Sequence, residues 1–210
     1  LEVLGIYIFL LLFLYYLKTR RFRNLVVCLS CLLCLGIYHT VMRWYDRPCP
    51  SLVFYNVRGC PAIHCIAEDG TSWLNYADTL SDKRRLQAVA ANYWRRHQLL
   101  PPIEVTADCQ NVDFCRHQQI VFYHGCRICM VTDNRWRNKS AASPLFINYM
   151  YLCKGYNGRL EELTGLFSPS CILLDASLSD DRKQFFREEC KRLHLHFITL
   201  SEEGSVRFLL

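Results

Sequence analysis

Several familiar catalytic signatures are missing from this 210-residue sequence. It has no Gly-x-Ser-x-Gly elbow, no phosphate-binding P-loop and no dinucleotide fingerprint. That removes elbow-type serine hydrolysis, P-loop nucleotide hydrolysis and Rossmann-type redox chemistry as readings. No segment repeats, which excludes a solenoid or propeller, and no tract has low complexity. Outside the apolar run at 25–42 the sequence has a single Cys-x-x-Cys pair, Cys126 and Cys129, whereas a zinc ribbon needs two. Charge is missing too, and in a patterned way. Residues 3–17 (VLGIYIFLLLFLYYL) and 25–42 (LVVCLSCLLCLGIYHTVM) carry none, with His39 neutral.

Those two runs dominate the first part of the chain. At ~1.5 Å per residue they span roughly 23 and 27 Å as helices, close to the ~30 Å hydrocarbon core of a bilayer. Between them, in the turn at 18–24, sit Lys18, Arg20, Arg21 and Arg23. A tight basic turn between apolar helices marks a membrane hairpin with that turn in the cytoplasm. A signal peptide has its basic residues before the apolar core, and a soluble buried hairpin has polar faces. The expected organisation is therefore a transmembrane hairpin over 1–47, with helices near 3–17 and 25–42, followed by an extracytoplasmic domain over 48–210. The chain starts at Leu1 and reads as the tail of something longer. Its net charge of +6 suits nucleic acid or an anionic lipid surface without selecting either. Of the 13 cysteines, Cys28, Cys31 and Cys34 recur every third residue of the second run and read as small packing residues. The remaining ten give no disulfide framework that spacing can choose.

Beyond the linker RWYDRPCP (43–50), the pattern is mixed. Strands are expected at 51–57 and on either side of an Asp69-Gly70 turn within 62–77. A helix follows at 81–99, capped by Ser81, with Leu86, Val89, Ala90, Tyr93 and His97 on one face. Pro101-Pro102 ends it, and 103–107 is a short strand. Residues 118–132 read as a hairpin, 133–143 as a polar loop and 145–153 as a strand. A glycine loop then leads into a short helix from Arg159 to Phe167. Ser168-Pro169-Ser170 breaks it before a buried strand at 171–177. A helix at 180–195 is capped by Ser179, with acidic residues first and basic residues last, as its dipole favours. Residues 196–200, a Glu203-Gly204 turn and 205–210 close the chain.

Few side-chain constellations could carry chemistry. Cys126 and Cys129 have Cys-x-x-Cys spacing, but on a strand residues three apart face opposite ways. His194 and His196 straddle a helix end and a strand start, so they need not converge on a metal. Asp175 ends a buried strand, where carboxylates serve either as site residues or as turn caps. Basic residues cluster twice: Lys83, Arg84 and Arg85 with Arg95 and Arg96 on one helix, and Arg135, Arg137 and Lys139 around Trp136. Arginines beside an aromatic suit a phosphate backbone with stacked bases. A solvated helix face and a charged loop would carry the same residues.

The apolar hairpin, its basic turn and the stretches YLCKGYNGRLEELTGLFSPSCILLDAS and RKQFFREECKRLHLHFITLSEEGSVRFLL resemble the C-terminal end of ComEC-type DNA-internalisation (competence) proteins. The resemblance covers nearly the whole chain, is thinnest over 80–140, and is closest to the shortened tails of Bacteroides-like bacteria. It implies an α/β fold of the αββα, metallo-β-lactamase-like kind behind a two-helix transmembrane hairpin. It also implies a Gly-containing final hairpin. Catalytic members carry a His-x-His-x-Asp-His-like run after the strand, with Gly-Gly opening the helix. Here that loop reads Cys153, Lys154, Gly155, Tyr156, Asn157, Gly158. It contains no His, Asp or Glu, and Lys154 would repel a cation.

The resemblance thus implies a degenerate, non-catalytic tail of a bacterial inner-membrane protein in DNA uptake, with no cofactor. Its role is structural or DNA-guiding, and the candidate DNA contacts are Arg84, Arg85, Arg95, Arg96, Arg135, Trp136, Arg137 and Lys139. Its partners are DNA, expected single-stranded as channel substrate, the membrane, and the remaining transmembrane region of the same protein. A homo-oligomer is a further candidate. Two alternatives stand beside it: a metal-dependent nuclease or other hydrolase with relocated ligands, and a purely structural domain that docks a periplasmic partner.

Overall fold

The computed structural model describes residues 2–45, 49–76, 80–97 and 99–210. The chain divides into two compact units, 1–47 and 48–210. The linker expected over 43–50 and the cap expected from Ser81 fall in part or wholly outside what is described.

The first unit holds two helices, α1 (Glu2–Thr19) and α2 (Phe22–Tyr45). The break between them is tighter than the basic turn expected at 18–24. Thr19 and Asn24 close it, with Asn24 Nδ2 donating to Thr19 Oγ1 at 2.6 Å. One helix, over Phe22–Val41, is long and apolar enough to cross a membrane, and Gly5–Thr19 is a shorter apolar helix. The helices meet where Gly5 lies against the Leu35 side chain, a place with no room for a Cβ. Cys28 is buried, Cys31 half-buried and Cys34 exposed. Three residues turn a helix by about 300°, so each step drifts about 60° off the stripe and the third cysteine leaves the packed face.

The second unit is mixed α/β, and its strands form two sheets. The first contains β1 (Ser51–Tyr55), β2 (Ala62–Ile66), β3 (Ser72–Tyr76), β4 (Ile103–Val105) and β12 (Val206–Leu209), in the order β12-β1-β2-β3-β4. The second contains β5 (Cys109–Gln110), β6 (Phe114–His117), β7 (Ile120–Tyr123), β8 (Cys126–Val131), β9 (Leu145–Leu152), β10 (Phe167–Leu174) and β11 (Phe197–Thr199). Its order is β11-β10-β9-β8-β7-β6-β5. Strands β8 to β11 run parallel, whereas β5 to β8 form an antiparallel meander.

Alternation along the strands sets the layers. Phe54, Ile63 and Trp73 of the first sheet meet Tyr123, Ile128, Tyr151 and Leu173 of the second in a shared core. Phe54 sits edge-on to Tyr151 at 5.3 Å and to Phe208 at 5.9 Å, geometries worth ~0.5–1.5 kcal/mol each beyond their buried area. The outer face of the first sheet is covered by α3 (Leu80–Arg96) through Leu86 and Ala90. The outer face of the second is covered by α4 (Leu160–Thr164) and α5 (Asp180–Arg192) through Leu160, Leu163, Phe186 and Cys190. The layers therefore run helix, sheet, sheet, helix.

Three local expectations are corrected, and two strands are added. Val89 is 50% exposed, and Trp94 packs under α3 in its place. The strands β5 and β6 were not read from the sequence. Ser168-Pro169-Ser170 does not break the chain, because β10 already starts at Phe167. There β10 pairs only with β9, since β11 joins from Ile172 onward. Pro169 can thus leave its missing N–H on an unpaired edge. The last two strands do not form a hairpin either: α6 (Leu200–Glu203) carries the chain from β11 in one sheet to β12 in the other. There β12 pairs with β1, from Ser51↔Leu209 to Phe54↔Val206.

Candidate functional site

Ligand sites in parallel sheets sit beyond the carboxyl ends of strands, and here β9 and β10 end side by side. The chain leaves β9 at Cys153, whose N–H donates to Val131 O at 3.0 Å. The Cys153 side chain is fully buried, with its thiol 3.7 Å from Tyr151 O. Burial, then the nearby Asp175, pushes that thiol well above its ordinary range. Lys154 is exposed, and its N–H donates to Ser177 Oγ at 3.1 Å. Gly155 has φ +118° and lies flat against Thr132 O, where a Cβ would collide with the carbonyl. Only glycine meets both demands.

Tyr156 then turns inward. Its ring stacks on Phe186 at 6.2 Å, and its hydroxyl donates to Arg159 O at 2.8 Å. The exposed Asn157 donates its N–H to Asn134 Oδ1 at 2.8 Å. From α5, Arg182 donates to Tyr156 O at 3.2 Å and Gly158 O at 3.1 Å while lying over the Phe186 ring at 4.6 Å. The N-cap residue of α4, Arg159, makes no side-chain cap. Buried Glu189 of α5 supplies it instead, accepting from Leu160 N–H at 2.7 Å. The loop is filled by its own tyrosine and braced along its length by α5.

The β10 end is occupied as well. Asp175 is fully buried, accepts from the Tyr151 hydroxyl through Oδ1, and accepts from Ser177 N–H through Oδ2 at 2.8 Å. Burial raises its carboxyl above the ordinary range, partly offset by these donors. Both oxygens are already used within the protein. A hydrolytic metal centre would need several side chains converging on one point. Among the described residues no group of three or more His, Cys, Asp and Glu is placed to do so. The residues at this strand end do not fit the metal pair that the fold resemblance implies.

The other candidate pairs part ways. Cys126 belongs to the core between the sheets, and Cys129 to the opposite face. His194 has φ +54° in a Schellman cap: its N–H donates to Lys191 O at 3.3 Å, and Leu195 N–H donates to Cys190 O at 2.9 Å. His196 has Nδ1 3.2 Å from Cys171 Sγ.

The two basic clusters lie on opposite outer layers of the sandwich. Arg84, Arg85, Arg95 and Arg96 are exposed on α3. Arg95 donates to Asn92 Oδ1 at 2.8 Å, and Lys83 pairs with Glu104 at 2.7 Å. The second cluster is held by local partners. Arg135 clasps Asp133 at 2.8–3.0 Å, and Arg137 Nε lies 3.5 Å from Glu162. Trp136 is half-buried against Phe167 and donates to Gln119 Oε1 at 2.6 Å; Lys139 sits 5.5 Å from its ring centre. An apolar groove that no sequence expectation covers lies beside the first cluster. Its signal in the sequence is Leu99-Leu100-Pro101-Pro102, of which Leu99 is expected as the last helical residue and Pro101-Pro102 as the helix stop.

Fold and site together define a helix-sheet-sheet-helix sandwich with a filled strand-end loop, in a chain that also has an apolar helix able to cross a membrane. The ComEC C-terminal domain family model matches residues 52–210, and the chain belongs to that family. Family membership places it among competence proteins, which act at the membrane in DNA uptake. No curated protein and no solved structure matches it.

Proposed function

We propose that this chain is the tail of a DNA-uptake protein of the bacterial inner membrane, and that residues 48–210 are a non-catalytic extracytoplasmic module guiding single-stranded DNA. In this reading α1 and α2 form the membrane hairpin, with Lys18, Arg20, Arg21 and Arg23 on the cytoplasmic side. The sandwich is a degenerate metallo-β-lactamase-like fold. The carrying observation is the loop after β9: Tyr156 fills it, Arg182 and Glu189 brace it, and Asp175 is consumed by Tyr151 and Ser177. These contacts support the non-catalytic reading, since hydrolysis by a metal pair needs several converging ligands and an open position for water.

The arginines of α3 support the guiding role, since their exposed side chains suit phosphate contacts. The full chain in detergent micelles tests the reading. Salt-sensitive binding of single-stranded DNA without cleavage in Zn²⁺ or Mn²⁺ is expected. No binding at any salt would sink the guiding role, and turnover with a tightly bound metal would sink the non-catalytic one. A reporter fused after Leu210 that is active only outside the cytoplasm tests the side; activity of a cytoplasm-only reporter there would reverse the topology.

A further inference from the structure

We infer that the groove at the C-terminal end of α3 is a stacking site for unpaired bases of single-stranded DNA, an inference that rests on the DNA-contact reading above. The groove has a volume of about 470 Å³ and an apolar wall of Trp94, Leu99, Leu100, Pro101 and Pro102. Gln87, Ala91 and Arg95 line its helix side.

The wall is held in place. Trp94 Nε1 donates to Tyr55 Oη at 3.0 Å, and its indole sits edge-on to His64 at 5.9 Å. Leu99 N–H donates to Trp94 O at 3.0 Å, and Leu100 N–H donates to Gly70 O at 3.4 Å. Two successive prolines then fix the backbone. A preformed wall saves a ligand the ordering that a mobile loop would demand.

Charge selects the occupant. Arg84, Gln87, Ala91 and Arg95 fall on one stripe of α3, since eleven residues bring a helix back to within about 20°. The two arginines lie ~16 Å apart along the axis, with the groove beside the second. Among the described residues neither arginine has an acidic partner: Arg95 donates to the neutral Asn92 Oδ1 at 2.8 Å and to Ala91 O at 3.4 Å on its own helix. The one acid of the lining, Glu104, is taken by Lys83 at 2.7 Å and by the Tyr76 hydroxyl at 2.8 Å. That pairing with Lys83 holds its carboxyl below the ordinary range. An apolar slot flanked by arginines whose charge no acid neutralises among the described residues fits a strand that offers phosphates and bare base faces together. Stacking on indole, leucine and proline is tolerant of base identity, as passage of arbitrary sequence requires. Duplex DNA keeps its bases stacked inside and cannot offer them.

The test uses the full chain in detergent micelles with three probes of equal length: fluorescent oligothymidylate, an abasic strand and a duplex. Oligothymidylate should bind at least about tenfold tighter than the abasic strand. Leu100 is 55% exposed, so Leu100→Ser should leave the fold intact. It should weaken oligothymidylate about tenfold and the abasic strand less than about twofold. Arg95→Ala should weaken both strands alike. A 5-iodouracil strand should cross-link within 94–102. Equal binding of oligothymidylate and abasic strand, an equal loss of both in Leu100→Ser, or cross-links elsewhere would overturn the base-stacking site while leaving the DNA-contact reading standing. Failure of all three probes at every salt would remove the DNA-contact reading itself.

Discussion

The Tyr151 hydroxyl donates to the Asp175 carboxylate, with both side chains fully buried at the adjoining ends of β9 and β10. A buried carboxylate that loses a donor bears the full desolvation of its charge. Tyr151→Phe should therefore cost about 1–3 kcal/mol in urea unfolding at pH 7. Burial already raises the Asp175 carboxyl, and removal of this donor raises it further. The penalty should shrink in acid, where a protonated Asp175 no longer needs the donor. An equal penalty at pH 8 and pH 4 would mean that the bond is not what holds these strand ends.

His64 predicts acid sensitivity of the other face. It lies fully buried under α3, with Nδ1 2.9 Å from Tyr55 Oη and, among the described residues, no partner for Nε2. Burial lowers its pKa to about 3. The unfolded chain takes up a proton below about 6.5 and the folded chain does not. Stability is thus full above pH 6.5 and is lost as pH falls from there toward 3. By pH 5 the loss should be about 2 kcal/mol. Urea midpoints followed by tryptophan fluorescence measure it, and His64→Phe should flatten the slope. A wild-type midpoint unchanged between pH 7 and pH 5 would contradict the burial.

Gly155 should tolerate no side chain. Alanine there meets both φ +118° and the Thr132 carbonyl, whereas alanine at Gly125, with φ +76°, meets open space. Gly155→Ala should cost about 2–4 kcal/mol, against about 1 kcal/mol for Gly125→Ala. Thermal unfolding of the two variants compares them directly, and equal losses would show that the loop does not press on β8's exit.

The two basic clusters should separate by salt dependence. Each phosphate contact on a single strand contributes ≈ 0.7 to the slope of log K against log salt. Replacing Arg84 and Arg95 together by alanine should lower the slope by about 1.4. Arg135→Ala with Arg137→Ala should lower it less, because Asp133 and Glu162 already hold those side chains. The reverse ranking would move the DNA track to the 133–143 loop.

Much of the fold was legible because its signals are local. Alternation and turn residues placed β1 to β3 and the β7–β8 hairpin, and Ser179 with its acidic first turn placed α5. The misreadings depended on partners distant in the chain. Pro169 looks like a break until β10 is seen to lack a neighbour there. The last strand looks like half of a hairpin until its partner proves to be β1, at the other end of the domain. At the site, the lack of ligands between Cys153 and Gly158 was plain from the residue types. What fills the loop was not: Arg182 reaches Tyr156 across 26 residues and Glu189 caps Leu160 across 29. The Trp94 groove forms only once α3 lies on the first sheet and 99–102 folds back toward Gly70.

The filled loop is tested most directly by one experiment on the full chain in detergent micelles. Labelled single-stranded DNA is added with Zn²⁺ and then Mn²⁺, while bound strand, cleaved strand and metal per chain are counted in the same sample. The predicted result is strand bound and released by salt, uncut, with no metal retained after desalting. A retained metal ion together with turnover would contradict the account, because it would require ligands that this strand end does not offer.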